Sequence, residues 1–183
     1  MKAVFLDRDG VINQKAPEGD YIAHWERIRY LPEVFPSLAA LDRAGFKILI
    51  VTNQRGIAIG KVRPADLEEI HRRMRAEFSR EGVDLAGIYV CPHDFADQCA
   101  CRKPKPGLLL RAAVEHRIDL TSSWMIGDAS SDIEAGKAAG CRTARILRGS
   151  AVERGDNQAD FCSPDLPSAA GRILQLCQIG DQP

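Results

Sequence analysis

Two acidic stretches carry the first sign of chemistry: "DRDG" (Asp7 to Gly10) and "GDASSD" (Gly127 to Asp132). Each follows a short apolar run, "AVFL" and "WMIG". Carboxylates crowded at the end of a buried strand repel one another and lose hydration, so a shared cation is the natural explanation. Mg²⁺ fits, being hard and oxygen-seeking. A blander reading has Asp128 and Ser131 only capping the helix that follows. Acidic groups at two equivalent strand ends favour the shared metal. Such a Mg²⁺ completes its shell with water and a substrate phosphate. Donors for that phosphate are at hand: the Thr52 hydroxyl, the Asn53 amide, the Arg102 fork and the Lys103 ammonium.

A second constellation is Cys91-x-His93-x₅-Cys99-x-Cys101. Three thiolates and an imidazole make a closed tetrahedral Zn²⁺ shell, with no position left for water, so a structural zinc is expected. A disulfide fits poorly, because Cys99 and Cys101 are too close to pair comfortably and three cysteines leave one over. A catalytic thiol fits no better, since metal-bound thiolates are occupied. Cys141, Cys162 and Cys177 have no such company and read as small buried hydrophobes.

The elements that must hold these groups follow from periodicity. Strands are expected at Lys2 to Leu6, Lys47 to Thr52, Gly87 to Cys91, Trp124 to Gly127, Arg142 to Leu147 and near Asp160 to Cys162. Helices are expected from Pro32 to about Gly45, from Pro64 to Gly82, over Gly107 to Arg117, Ser131 to Ala139 and Ser168 to Cys177, with Gly155 to Gln158 a local loop. His71 falls on the second helix beside Ile70 and Met74 and reads as packing. Strand and helix alternate, which predicts an α/β fold: a Rossmann-like parallel sheet with helices on both faces. Ligands in such sheets bind beyond the carboxyl ends of the strands. Asp7, Thr52, Cys91 and Asp128 all lie there. The span from Asp7 to Thr52 holds a loop, a helix and a strand, so no separate cap domain fits. Residues 1–183 are expected to form one domain, with a zinc-binding loop at 91–101.

Composition narrows the partners. Lys and Arg together number 25, as do Asp and Glu, so the net charge is zero. That argues against a nucleic-acid binder, which needs a cationic surface. No apolar run approaches a membrane span, and "MKAVFLDRDG" does not read as a signal peptide. A cytoplasmic monomer is expected.

"FLDRDGVIN", "VTNQRGIAIG", "CRKPKPG" and "IGDASSDI" resemble, in order and placement, the four motifs of the haloacid dehalogenase superfamily of phosphohydrolases. The "DRDG" and "VTNQ" forms and the cysteine loop further resemble a capless branch of heptose bisphosphate and histidinol-phosphate phosphatases. The resemblance implies that Asp7 attacks phosphorus to form an aspartyl-phosphate. It implies that Asp9 protonates the leaving sugar oxygen and then serves as base to water. It also implies that Thr52 and Lys103 neutralise the phosphoryl oxygens. Mg²⁺ would be held by Asp7, by Asp9 through its backbone carbonyl and by Asp128, with Asp132 a further candidate. Related proteins often carry a basic residue where this chain has Ala129, leaving more to Lys103 and Arg102. The substrate implied first is a heptose 1,7-bisphosphate, dephosphorylated at position 7; histidinol phosphate is the alternative, and a polynucleotide end a more distant one. Arg55, Arg102 and Lys105, with Lys61 behind them, are candidates for the second phosphate. Glu18, Gly19, Asp20 and Tyr21 are candidates for sugar hydroxyls. Arg8, Asn53 and Gln54 complete the expected substrate-binding set.

Overall fold

The four apolar residues Ala3–Leu6 form β1, all of them buried, and β1 is the axis of the structure. The computed structural model describes residues 1–147 and 158–180; the loop expected at Gly155 to Gln158 lies, except for Gln158, outside the described residues. The remaining strands are β2 (Lys47–Asn53), β3 (Leu85–Cys91), β4 (Trp124–Gly127), β5 (Arg142–Ile146) and β6 (Phe161–Ser163). Between them run α1 (Val34–Arg43), α2 (Pro64–Arg80), α3 (Gly107–His116) and α4 (Ser130–Ala139), and α5 (Leu166–Gly180) follows β6. Among the described residues the strands make one six-stranded sheet in the order β3-β2-β1-β4-β5-β6, with every neighbouring pair parallel.

Period-two alternation splits the core in two. Val4, Leu6, Ile48 and Ile50 face α1, α2 and α5, where Leu38, Met74, Phe78 and Ile173 close the layer. Ala3, Phe5, Leu49 and Val51 face α3 and α4, against Leu109, Ala112 and Ala135. Helices therefore cover both faces, as the alternation of elements predicts.

The chain steps outward from β1 to β2 to β3, then returns to the other side of β1 with β4. That reversal opens a crevice at the carboxyl end of β1. Leu6 pairs with Ile50 on one side and Ile126 on the other. One residue further, Asp7 sits between the ends of β2 and β4, its N–H donating to the Ile126 carbonyl at 3.0 Å. Residues between β1 and β2 form a 3₁₀ turn (Trp25–Arg27) and α1, and no separate cap domain is seen among the described residues.

Element positions agree with the periodicity, and edges move. The first helix begins at Val34, not Pro32, because Glu33 takes a left-handed conformation (φ 56°) that turns the chain into it. Strand β6 lies one residue later than expected, and α5 extends past both expected ends. Among the described residues no helix is long and apolar enough to cross a membrane.

Phe5 is fully buried on the α3–α4 face. Phe5→Ala should cost about 3–5 kcal/mol of unfolding free energy, read as a lower urea midpoint with an unchanged slope.

Candidate active site

The end of β1 turns sharply. Gly10 has φ 102°, and a Cβ there would fall 2.0 Å from Asp128 Oδ2. Only glycine lets the two acidic loops approach this closely. Gly127 has the same role on β4, where a Cβ would overlap the Asp132 side chain.

At the centre lies Lys103, 3% exposed. Its ammonium donates to Asp7 Oδ1 (2.7 Å), Asp132 Oδ1 (2.6 Å) and the Val51 carbonyl (2.8 Å). All three donors are used, and the charge is buried but paired. Burial opposes the ammonium, yet Asp132 and Asp7 more than offset it and raise the Lys103 pKa. Asn53 pins the lysine backbone: its Oδ1 accepts the Lys103 N–H and its Nδ2 donates to the Lys103 carbonyl, both at 3.1 Å. Asn53 is thus committed to placing Lys103. The Lys103–Pro104 peptide is cis.

Asp7 is pushed up to about 7, first by burial and then by Asp132 and Asp9, with Lys103 opposing. Asp9 behaves oppositely. Burial raises it, but the Arg8 guanidinium and hydrogen bonds from Asn13, Arg8 and Gln54 hold it below the ordinary carboxylate value. Arg8, 1% exposed, lies beneath Asp9: Nη2 donates to Oδ2 at 2.8 Å, while Nη1 meets His71 Nε2 at 3.2 Å. The structure therefore places Arg8 under the carboxylate it supports, not at the opening. Asn13 Nδ2 donates to Asp9 Oδ1 at 2.8 Å. The Gln54 amide bridges Asp9 Oδ2 (3.0 Å) and Thr52 Oγ1 (2.8 Å), leaving the Thr52 hydroxyl hydrogen free to donate elsewhere.

Asp7, Asp128 and Asp132 each offer a carboxylate oxygen within 4.8 Å of the others. Their roles divide. Asp132 is 2% exposed, with Oδ1 on Lys103 and Oδ2 accepting the Ala129 N–H at 3.0 Å. Asp128 gives Oδ2 to Lys15 at 2.7 Å, while its Oδ1 is buried without a hydrogen-bond partner. A lone buried carboxylate oxygen beside two more carboxylates is what a hard cation requires. Helix α4 carries no side-chain cap from Asp128 or Ser131; Asp132 reaches back to its first turn instead.

The second donor set also converges. Cys91 Sγ lies 3.7 Å from Cys99 Sγ and 3.6 Å from His93 Nδ1; Cys101 Sγ lies 3.5 Å from Cys99 Sγ and 3.2 Å from His93 Nδ1. Ligands at zinc distances would sit about 3.8 Å apart on a tetrahedron's edges, so the cluster fits a tetrahedral ion. Lys105 donates to the carbonyls of Gln98 and Cys99, within that loop. The Arg102 guanidinium lies 4.1 Å over the Phe95 ring and donates to the His93 carbonyl. Arg55 reaches the same ring at 5.1 Å and pairs with Asp94. Glu18, Gly19 and Asp20 are exposed, with Asp20 on Arg27; Tyr21 packs so closely on Gly56 that a Cβ there would fall 2.8 Å from its ring. Lys61 is exposed.

Sequence reasoning passed over Asn13, Lys15, Asp94 and Phe95. Asn13 stood inside the quoted "FLDRDGVIN", and Lys15 opens the Lys15 to Tyr21 loop expected to help shape the site, with no role of its own assigned.

An acidic crevice thus lies at the switch point of a parallel sheet, with a buried lysine against its first aspartate. The HAD-hydrolase-like family model matches residues 100–169. The D-glycero-β-D-manno-heptose-1,7-bisphosphate 7-phosphatase of Pseudomonas putida is 36% identical over 95% of this chain and 100% of its own. The Escherichia coli K12 enzyme of that name is 37% identical over 91% and 92%. The crystal structure of the D,D-heptose 1,7-bisphosphate phosphatase of B. bronchiseptica, complexed with magnesium and phosphate, superposes with a TM-score of 0.87, at 32% identity over 96% and 99%. The chain belongs to the haloacid dehalogenase-like hydrolases, in the family of the heptose 1,7-bisphosphate phosphatases. Its class is that of the phosphoric monoester hydrolases.

The raised Asp7 has a checkable consequence. Folding raises its pKa from 3.8 to about 7, so the stability that its protonated form contributes is full below 3.8 and is lost as pH rises through about 7. Asp7→Asn cannot ionise. Without added Mg²⁺, its melting temperature should exceed that of the parent by about 2 °C or more near pH 8 and by less near pH 5; a constant gap would contradict the pKa.

Proposed function

We propose that the protein removes the 7-phosphate of D-glycero-D-manno-heptose 1,7-bisphosphate through an aspartyl-phosphate on Asp7. One observation carries the chemistry: Lys103 holds Asp7 Oδ1 and leaves Oδ2 for attack on phosphorus. As the bond from Asp7 to phosphorus forms, the bond from phosphorus to the sugar oxygen breaks, and Asp9 supplies the proton that oxygen needs. Asp9, left ionised by that transfer, then takes a proton from the water that hydrolyses the acyl phosphate. Thr52 donates its free hydroxyl hydrogen to a phosphoryl oxygen, and Lys103 offsets charge beside it.

Mg²⁺ fits the oxygens of Asp7 and Asp128 and the backbone carbonyl of Asp9, with the unpartnered Asp128 Oδ1 the main support. Bound there, it would neutralise phosphoryl charge. Asp132 acts by holding Lys103. Zn²⁺ fits the four donors of residues 91–101 as a brace that fixes the entry to Lys103. Arg55 and Arg102, converging on Phe95, are the cations best placed for the second phosphate. Tyr21, with Glu18 to Asp20, lies beside the 53–61 loop and is suited to sugar hydroxyls. The relatives' names and the open, capless site support a substrate that brings its own bulk and charge. Zero net charge supports a small-molecule partner over nucleic acid, and thiols kept as metal ligands support the cytoplasm. We take the monomer as the working unit.

Two measurements test the reading. In a phosphate-release panel of heptose 1,7-bisphosphate, fructose 1,6-bisphosphate, histidinol phosphate and a 3′-phosphorylated oligonucleotide, the heptose should have the highest kcat/KM; preference for histidinol phosphate would overturn the substrate. Metal analysis should find about one Zn²⁺ per chain. Cys99→Ala should lower both zinc content and activity, and full activity without zinc would sink the brace.

A further inference from the structure

Each buried carboxylate of the site is paired with a cation. Arg8 serves Asp9, and Lys103 serves Asp7 and Asp132. These cations are 1% and 3% exposed, their donors are spent inside the protein, and neither can leave. Asp128 is served by Lys15, whose side chain is 52% exposed. Its ammonium holds Asp128 Oδ2 at 2.7 Å, while the other oxygen, Oδ1, is buried without a hydrogen-bond partner, and one carboxylate oxygen of Asp128 lies within 4.8 Å of those of Asp7 and Asp132. The contact is built into the backbone: with any larger residue at Gly10, a Cβ would fall 2.7 Å from Lys15 Cε and 2.0 Å from Asp128 Oδ2.

We propose that Lys15 is an exchangeable counter-ion of Asp128, which weakens divalent-cation binding to the empty site and strengthens phosphate binding once the cation is in place. This rests on the assignment of Asp7 and Asp128 as cation ligands. The reason is charge balance. With all three ionised, as holding a divalent cation requires, Asp7, Asp128 and Asp132 carry three negative charges against the two ammoniums of Lys103 and Lys15. A divalent cation alone turns this near-neutral pocket positive, at a cost set by low local dielectric. A phosphate dianion arriving with it restores the balance. Lys15 therefore couples the two ligands, and by linkage each must help the other equally. Being half exposed on a flexible stem, its ammonium is free to turn from Asp128 toward the incoming anion, as Lys103 is not.

The test is calorimetric titration of zinc-replete protein with Mg²⁺, and of the Mg²⁺-saturated protein with inorganic phosphate. Lys15→Gln should bind Mg²⁺ alone about three- to tenfold more tightly than the parent and bind phosphate weaker by a similar factor. Lys15→Arg, which keeps the charge, should match the parent in both. Unchanged or weaker Mg²⁺ binding in Lys15→Gln overturns the proposal, as does tighter binding in Lys15→Arg. No Mg²⁺ binding by the parent would overturn the cation site itself, and Lys15's role with it.

Discussion

The structure depends on one buried ammonium. Lys103 is tied at once to β1 through Asp7, to β2 through the Val51 carbonyl and to α4 through Asp132. A buried lysine is tolerable only when paired and hydrogen-bonded, and Asp7 and Asp132 together meet that demand. The demand extends outward. Asn53 grips the Lys103 backbone, Gly127 makes room for Asp132, and the donor loop of residues 91–101 leads into the lysine. The end of the central strand is thus held from both sides before any substrate arrives.

The pairing of opposite charges separates two aspartates that are two residues apart. Asp7 is deeply buried, shares its lysine with Asp132 and is driven toward the neutral form. Asp9 has Arg8 to itself, with Asn13 and Gln54 adding donors, and is driven toward the ionised form. One strand end thereby carries two carboxylates held at different acidities. His71, from the far side of α2, accepts a hydrogen bond from Arg8; burial and that guanidinium push its own pKa down to about 3, so it stays neutral beside a permanent cation.

The cysteine-rich loop gathers four metal-ligating side chains just before Lys103. Its thiols and imidazole face one another; Lys105 is spent on loop carbonyls, while Arg102 lies over Phe95 with one donor on the His93 carbonyl. A long irregular segment is costly to order, and a four-donor cluster reduces that cost by closing it on itself. The loop can then end on a buried residue without a helix or strand to carry it there.

Much of this was legible in the chain. Unbroken apolar runs such as "ILIV" and "AVFL", punctuated by glycine and proline, determined the strands, their alternation with helices and so the parallel sheet, because those signals are local. The types of Asp7, Thr52, Lys103 and Asp128, and the strand-end placement of Asp7, Thr52 and Asp128, were enough to point to a phosphate and a hard cation, and the cysteine spacing to a second metal. Helix edges were less legible: the left-handed turn at Glu33 is set by how α1 must meet the core, not by Pro32. Tertiary structure alone decided which cation belongs to which carboxylate. Arg8 reads as a substrate ligand and is a buried prop; Asn53 reads as a phosphate donor and is a clamp; Lys15 reads only as the start of a loop and holds Asp128. The physical reason is distance along the chain. Lys103 meets Asp7 across 96 positions, and such a pairing exists only once the sheet has brought the strand ends together.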